Sequence, residues 1–303
     1  MRFGCVLPTL GPLGAPDALM RTAQRAEALD YHSLWVADRL LYPLAPRTPY
    51  PATPDGSLRE YFKRCMDPVE ALTFAAAHTR RITLGTSVLN MPFYNPVVLA
   101  RRLATLDVLS GGRARVGLGQ AWSADELEAV GADPKARASR ADEFIQVLKT
   151  MWGSDPVEFQ GRHFRVAPSI VGLKPVQSPH PPIYLAAFVE PALRRAARLG
   201  DGWLPSTVPI AALGRMVPQL HDFARQAGRD PSRLEVIYMA GAQVTSAPLD
   251  EAKRSALCGS AAQVRADIGR LRDAGVTEVI GWSGGQTVDD TLASLERFRE
   301  TVG

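Results

Sequence analysis

Ile82-Thr83-Leu84-Gly85-Thr86-Ser87-Val88-Leu89-Asn90-Met91-Pro92-Phe93-Tyr94-Asn95-Pro96 is the stretch on which the fold of this chain turns. Its first half mixes β-branched, aliphatic and small residues, and no charge falls between Ile82 and Asn95. A strand buried on both faces, as in a parallel sheet, reads this way. The strand then meets a turn punctuated by Pro92 and Pro96, and a helix starts at Pro96 with Asn95 placed to cap it. Thr86 and Ser87 set two hydroxyls at the carboxyl end of the strand, where parallel α/β proteins bind ligands. A lone Thr-Ser pair can equally bond its own surroundings. Other strands must therefore end in similar chemistry if a site is to form there.

Working outward, strands are predicted at Arg2–Pro8, Ser33–Ala37, Arg113–Leu118, Pro182–Ala187, Gly202–Pro205, Leu234–Ala240 and Val276–Gly281. Helical spacing of apolar residues falls between them, at Asp17–Leu29, Asp67–Thr79, Pro96–Leu109, Ala138–Trp152, Pro191–Leu199, Ala211–Gln226, Gln263–Ala274 and Val288–Thr301. Strand–helix alternation on this scale predicts a closed (β/α)8 TIM barrel, one domain over residues 1–303. A doubly wound sheet is the alternative, but no G-x-G-x-x-G follows the first strand. Two stretches break the alternation. One is a long loop after the second strand, residues 39–66, rich in Pro, Tyr and Arg, which reads as a lid. The other is an irregular insertion after the fourth helix, residues 153–181.

With 46% hydrophobic and 22% charged residues, the composition is that of an ordinary globular protein. The formal charge of +4 comes from dispersed arginines, with no basic tract, which argues against a nucleic-acid partner. Cys5, Cys65 and Cys258 lie far apart without metal-ligand spacing, so a disulfide-free, cytoplasmic protein without a metal is expected. No apolar run is long enough to serve as a membrane span or signal peptide.

The predicted strand ends carry Thr9 and Leu10, Asp38 and Arg39, Thr86 to Leu89, Gly119 to Trp122, Ala186 to Glu190, Pro205 to Thr207, Gly241 and Gln243, and Trp282 to Gly285. Paired acids for glycoside hydrolysis are missing from this set, and no histidine stands at a strand end. A G-x-S-x-G elbow is absent as well. Small residues on several strand ends instead suit a flat aromatic cofactor lying close to the backbone. Asp38 is the one carboxylate at an early strand end, although it could equally cap a turn or pair with Arg39. Tyr42, Tyr50 and Tyr61 of the lid can pack or donate protons, and Trp122 can line the pocket or anchor a loop.

The stretches R-F-G-C-V-L-P-T, A-E-A-L-D-Y-H-S-L-W-V-A-D-R, I-T-L-G-T-S-V-L-N-M-P-F-Y-N-P-V-V-L-A-R, L-D-V-L-S-G-G-R-A-R-V-G-L-G, P-P-I-Y-L-A-A, R-R-A-A-R-L-G-D-G-W and C-G-S-A-A-Q-V with D-A-G-V-T-E-V-I occur in this order. Together they resemble the bacterial luciferase-like superfamily of flavin- and deazaflavin-dependent oxidoreductases, over essentially the whole chain. The most similar group is that of actinobacterial coenzyme F420-dependent oxidoreductases. The resemblance implies a cofactor at the carboxyl face of the barrel, and a bulged, cis Ser87–Val88 peptide supporting its ring. It further implies that Asp38, Gly119, Gln120, Ala121, Ala186, Ala187 and Phe188 contact the cofactor. Two departures stand out. Deazaflavin glucose-6-phosphate dehydrogenases of this superfamily carry a histidine and a glutamate where this chain has Arg39 and Gln120. Arginine stays protonated and glutamine does not titrate, which argues against sugar-phosphate dehydrogenation. In A-A-F-V-E-P, Phe188 replaces a small residue, and Glu190 puts a negative charge beside a helix N-terminus that would otherwise hold phosphate.

The expectation is hydride transfer between F420 and a small organic substrate, with Asp38, Arg39 and Gln120 as catalytic candidates. Tyr42, Tyr50 and Trp122 would line the substrate pocket. F420 is favoured over FMN because Arg47, Arg59, Lys63 and Arg64 suit an acidic cofactor tail. An FMN-dependent monooxygenase is one alternative, and a barrel that only binds a ligand is another. A homodimer through the helices at 67–79 and 96–109 is implied by the habit of relatives.

Overall fold

The computed structural model describes residues 1–206 and 208–303; Thr207, expected in a strand-end loop, lies outside the described residues. The chain begins with strand β1 (Arg2–Val6), helix α1 (Pro16–Ala28) and strand β2 (Ser33–Val36). After the long loop come α2 (Pro68–His78), β3 (Thr83–Thr86), a two-residue continuation β4 (Leu89–Asn90) and α3 (Pro96–Ser110). Next are β5 (Ala114–Gly119), α4 (Ala124–Ala129), α5 (Arg137–Trp152) and the hairpin strands β6 (Val157–Gln160) and β7 (Arg165–Ser169). The last third runs β8 (Ile183–Leu185), α6 (Glu190–Leu199), β9 (Gly202–Trp203) and α7 (Ile210–Gln226). It closes with β10 (Glu235–Gly241), β11 (Gln243–Thr245), β12 (Cys258–Ser260), α8 (Ala261–Asp273), β13 (Glu278–Trp282) and α9 (Val288–Val302).

The parallel strands pair in the order β3-β2-β1-β13-β10-β9-β8-β5, and β3 pairs back to β5. The sheet is therefore closed, and the fold is a (β/α)8 TIM barrel. Local chemistry accounts for its punctuation. Asp67 caps α2 by accepting from the Val69 amide at 2.9 Å, with Pro68 in the first turn. Asn95 caps α3 in the same way, at 3.0 Å from the Val97 amide. Gly111 ends α3 at φ 70°, a left-handed conformation that a side chain would resist. Three elements differ from expectation. The acidic stretch after β5, outside every helix predicted from the sequence, holds α4, capped by Ser123. The insertion is partly regular, because Val157 and Phe159 give β6 an inward face that pairs with β7. A short parallel pair, β11 with β12, lies outside the barrel, and its strands are too short to show a period.

Two apolar layers hold the barrel. The larger lies between sheet and helices. The smaller fills the interior with Val6, Trp35, Tyr184, Leu204, Ile237, Met239 and Ile280. Trp35 fits because the adjacent strand offers Gly85, where a Cβ would fall within the indole ring. Beneath this layer the amino ends of the strands converge on charge. Arg115 of β5 is buried and donates to Glu278 of β13 at 2.7 Å and to Glu235 of β10 at 2.8 Å. The Tyr184 hydroxyl donates to Glu235 at 2.6 Å and accepts from Arg115 at 2.9 Å. Ser33 donates to Glu278 and accepts from Trp35 Nε1 at 2.6 Å. Among the described residues no helix is long and apolar enough to cross a membrane.

Removing Arg115 would leave the carboxylates of Glu278 and Glu235 without their buried partner. Arg115→Met is expected to cost about 3–5 kcal/mol of unfolding free energy, the range for breaking a buried pair from one side. Chemical denaturation would measure it, and a loss below about 1 kcal/mol would contradict this role for the pair.

Candidate functional site

At the carboxyl end, the two hydroxyls of the central strand part ways. Thr86 Oγ1 donates to the Gly117 carbonyl and accepts from the Gly117 amide, both at 2.9 Å, so it serves the sheet. Ser87 Oγ is buried and has no partner among the described residues. The Ser87–Val88 peptide is cis, and it interrupts the strand between β3 and β4. Val88 is half-buried and packs on the interior apolar layer instead of contributing fully to strand burial. Gly119 faces it from β5, where a Cβ would collide with the Val88 side chain.

Asn90, just beyond, ties three loops together. Its amide donates to Asp38 Oδ2 at 2.9 Å, its Nδ2 donates to the Asp38 carbonyl at 3.1 Å, and its Oδ1 accepts from the Ala121 amide at 3.1 Å. Ala121 holds φ 56°, an uncommon backbone for a residue with a Cβ. Asp38 is buried, and desolvation lifts its carboxyl from the ordinary carboxylate range to about 7, against the opposing hydrogen bonds from Asn90 and Tyr94.

Arg39 does not pair with Asp38. Its Nη1 lies 3.1 Å from Glu126 of α4, with both side chains buried. The same carboxylate accepts from the amides of Leu40 at 2.7 Å and Leu41 at 3.1 Å. Glu126 therefore anchors the start of the lid. Further along, Arg47 pairs with Asp125 and Glu128, and the Ala124 amide donates to Thr48 Oγ1. The lid's far end is clipped to the loop after β1, where Gly11 donates to the Arg64 carbonyl at 2.9 Å and Met66 to the Thr9 carbonyl at 3.0 Å.

Between these ends an aromatic arch crosses the barrel mouth. Trp282, at the end of β13, meets Tyr61 at 5.3 Å; Tyr61 meets Phe62 at 4.7 Å; Phe62 meets Tyr50 at 5.3 Å; and Tyr50 meets Trp122 at 5.3 Å. Trp122 follows β5, which stands opposite β13 in the ring of strands. The Arg39 guanidinium lies over Trp122 at 4.7 Å and over Phe62 at 5.1 Å. Tyr42 makes its contacts elsewhere, donating to Glu60 with Lys63 over its ring, in exposed surroundings. Arg47 and Lys63 are both paired, which leaves Arg59 and Arg64 as the exposed lid cations without an ion pair among the described residues.

The remaining strand-end candidates divide. Gln120 is half-buried, with Nε2 unpaired among the described residues. Ala187 is buried in the layer between sheet and helices, so its methyl faces away from the mouth, and its carbonyl accepts from Trp203 Nε1 at 3.0 Å. Ala186 is half-buried, whereas Phe188 is 59% exposed. Glu190 sits in the first turn of α6 and pairs with Arg194 at 3.1 Å along the helix. The α6 amino terminus has no side-chain cap.

Sequence reasoning missed Asn90, Phe62 and Glu126 as parts of this site. A signal for Glu126 was present: Ser123-x-x-Glu126 has the spacing of a capping box. The Ser123 half forms, with Oγ accepting from the Glu126 amide, but the carboxylate goes to the lid. Asn90 and Phe62 gave no local signal, because their partners lie on other loops.

A family model described as luciferase-like monooxygenase matches residues 1–257. An uncharacterised protein of Mycobacterium tuberculosis is 31% identical over 98% of this chain and 97% of its own length. An F420-dependent glucose-6-phosphate dehydrogenase of Amycolatopsis mediterranei is 32% identical over 62% of this chain, which spans 53% of that enzyme. Among solved structures, monooxygenase RslO1 from Streptomyces bottropensis shares the fold, with a TM-score of 0.84 at 24% identity, covering 100% of this chain and 98% of that one.

The raised Asp38 value has a defined consequence. Between about pH 4 and 7 the folded state keeps a proton that the unfolded chain has released. Stability from this group is thus present in full at acid pH and is lost as pH rises through that window. Relative to Asp38→Asn, the natural protein should weaken by on the order of 3 kcal/mol from pH 4 to pH 7, then run parallel. Urea denaturation of both across this range reads the difference. A constant gap would contradict the burial effect.

Proposed function

The chain belongs to the luciferase-like monooxygenase family, and from that premise we propose that it is an oxidoreductase moving a hydride between coenzyme F420 and a small organic substrate. One observation carries the reading. Among the described residues five buried polar atoms lack partners; one, Thr22 Oγ1, lies in helix α1, and the other four are Thr9 Oγ1, Arg39 Nε, Ser87 Oγ and Gln120 Nε2. They stand after β1, β2, β3 and β5, four successive strands of the barrel, at the end the aromatic arch crosses. Native interiors seldom leave such atoms unsatisfied, and a polar, flat ligand would satisfy them. A deazaflavin or flavin ring fits that description.

When bound, the cofactor supplies the hydride donor or acceptor. The chain's own residues do the rest. Ser87, Gln120 and Ala121 would hold the ring, and Gly119 makes room for the Val88 side chain beneath it. The arch of Tyr50, Phe62, Tyr61 and Trp282 would exclude water. Asp38, whose carboxyl titrates near neutrality, can hold a proton at working pH. Arg39 and Gln120 cannot exchange protons there, so their part is hydrogen bonding, which argues against a sugar-phosphate substrate. F420 is favoured by the F420-dependent relative and by Arg59 and Arg64, which suit an acidic tail. The second reading, an FMN-dependent monooxygenase, is favoured by the family model and by the likeness to RslO1.

Titrating the apoprotein with each cofactor and following fluorescence separates these readings. F420 should bind at least about tenfold more tightly than FMN, and Gln120→Leu should weaken it by about three- to tenfold, the worth of one hydrogen bond. Tight FMN binding without F420 binding would overturn the choice of cofactor. Binding without turnover against any reducible or oxidisable metabolite would favour a ligand-binding barrel.

We also propose a homodimer through α2 and α3. Val98, Val108 and Leu109 of α3 are exposed, as an apolar patch awaiting a partner would be. Light scattering is expected to give twice the chain mass, and a strict monomer at micromolar concentration would refute it.

A further inference from the structure

Arg39 has three nitrogens with which to recognise a ligand, and two are already used. Nη1 pairs with Glu126 and Nη2 donates to the Leu41 carbonyl at 3.4 Å, whereas Nε is buried without an acceptor among the described residues. The residue is 9% exposed and Glu126 1% exposed, so water screens their charges little. An unpaired arginine in such a place would select carboxylates or phosphates. Here the positive charge is cancelled at 3.1 Å by a carboxylate that is itself fixed by the Leu40 and Leu41 amides. A second anion brought to this guanidinium would face Glu126 across a region of low dielectric. A neutral carbonyl oxygen would accept from Nε–H without that repulsion, and would satisfy a donor that is otherwise lost.

The surroundings add a shape. Trp122 and Phe62 lie against the guanidinium, and Tyr50, Tyr61 and Trp282 extend the same apolar cover. Flat apolar molecules are the natural occupants of such a cover. Gln120 Nε2, an uncharged donor, follows β5, which is separated from β2 by β3 in the ring of strands.

We propose that this mouth selects uncharged, planar molecules bearing a carbonyl oxygen, that Arg39 Nε–H receives that oxygen, and that Glu126 sets the selectivity by neutralising Arg39. The proposal rests on reading the mouth as the substrate site of the oxidoreductase above. Glu126 is a positioning residue in this account, since it acts through Arg39.

The test is equilibrium binding of two probes of the same shape, 2-acetylnaphthalene and 2-naphthoate, by calorimetry, with and without F420. The natural protein should prefer the ketone by about tenfold or more. Glu126→Gln keeps an oxygen for the lid amides but frees the arginine charge, and should move the preference toward naphthoate by about tenfold. Arg39→Met should weaken the ketone several-fold and leave naphthoate the poorer probe; it carries the test if Glu126→Gln fails to fold by circular dichroism. Equal affinity for both probes in the natural protein would overturn the proposal. So would an unmoved ratio in Glu126→Gln, an unchanged ketone affinity in Arg39→Met, or binding of neither probe. Discrimination between the probes in a protein that binds neither F420 nor FMN would sustain this selectivity while removing the redox reading. Tight F420 binding with no discrimination would do the reverse.

Discussion

Arg115 is buried within the barrel at the amino ends of the strands, and the carboxylates of Glu278 and Glu235 meet it there. Everything above depends on that contact. Strands β5, β10 and β13 each bring one charge to the axis near their first residues, and none could be buried alone at acceptable cost. Their meeting fixes the register of three strands that are not all neighbours. It also closes the lower end of the barrel, with Tyr184 and Trp35 stacked above it. The interior can then open only upward, where the loops after the strands lie.

The upper end is held by different means. Hydrogen bonds from Asn90 bring the ends of β2, β4 and β5 together, so Asp38 and Ala121 are positioned by one side chain. Glu126 does the same for the lid, gripping the backbone of Leu40 and Leu41 and the side chain of Arg39 at once. The lid has little regular structure of its own, one turn of 3-10 helix at Glu60–Lys63. Its shape comes from these end attachments and from its aromatic residues. A loop built this way can be ordered while remaining the least cooperative part of the molecule.

The architecture was legible in the sequence, because burial on both faces of short strands and caps such as Asp67 and Asn95 are local signals. The cis Ser87–Val88 bond was legible only by resemblance, since nothing in Thr-Ser-Val-Leu by itself requires it. Residues whose work is defined by distant partners were the ones lost. Glu126 carries only the local spacing of a capping box, and Arg115, Glu235 and Glu278 carry no local mark beyond a charge near the start of a strand. Pairings between residues more than a hundred positions apart leave no periodicity to read. Phe188, whose place in the motif implies contact with a cofactor, presents a largely exposed side chain.

Hydrogen bonding separates the arginines that build this molecule from Arg39. Arg113 spends all three nitrogens on Ser110, Thr79, Ile82 and Ala76, and so locks α2, α3 and β5 together. Arg115 likewise spends Nε, Nη1 and Nη2 on Tyr184, Glu278 and Glu235. Both are buried, and both are complete. Arg39 is as buried as Arg113, and it too has a carboxylate, yet one donor is left over at the end of the barrel where ligands bind. Folding alone gives no reason to bury a guanidinium beneath aromatic rings and then leave part of it unused, because each unmade hydrogen bond lowers stability. The same imbalance recurs at Thr9, Ser87 and Gln120 on the adjoining strands. Among the described residues, four of the five buried polar atoms without a partner gather at this end, the fifth being Thr22 Oγ1 in α1, and such clustering is what a site preorganised for a ligand presents.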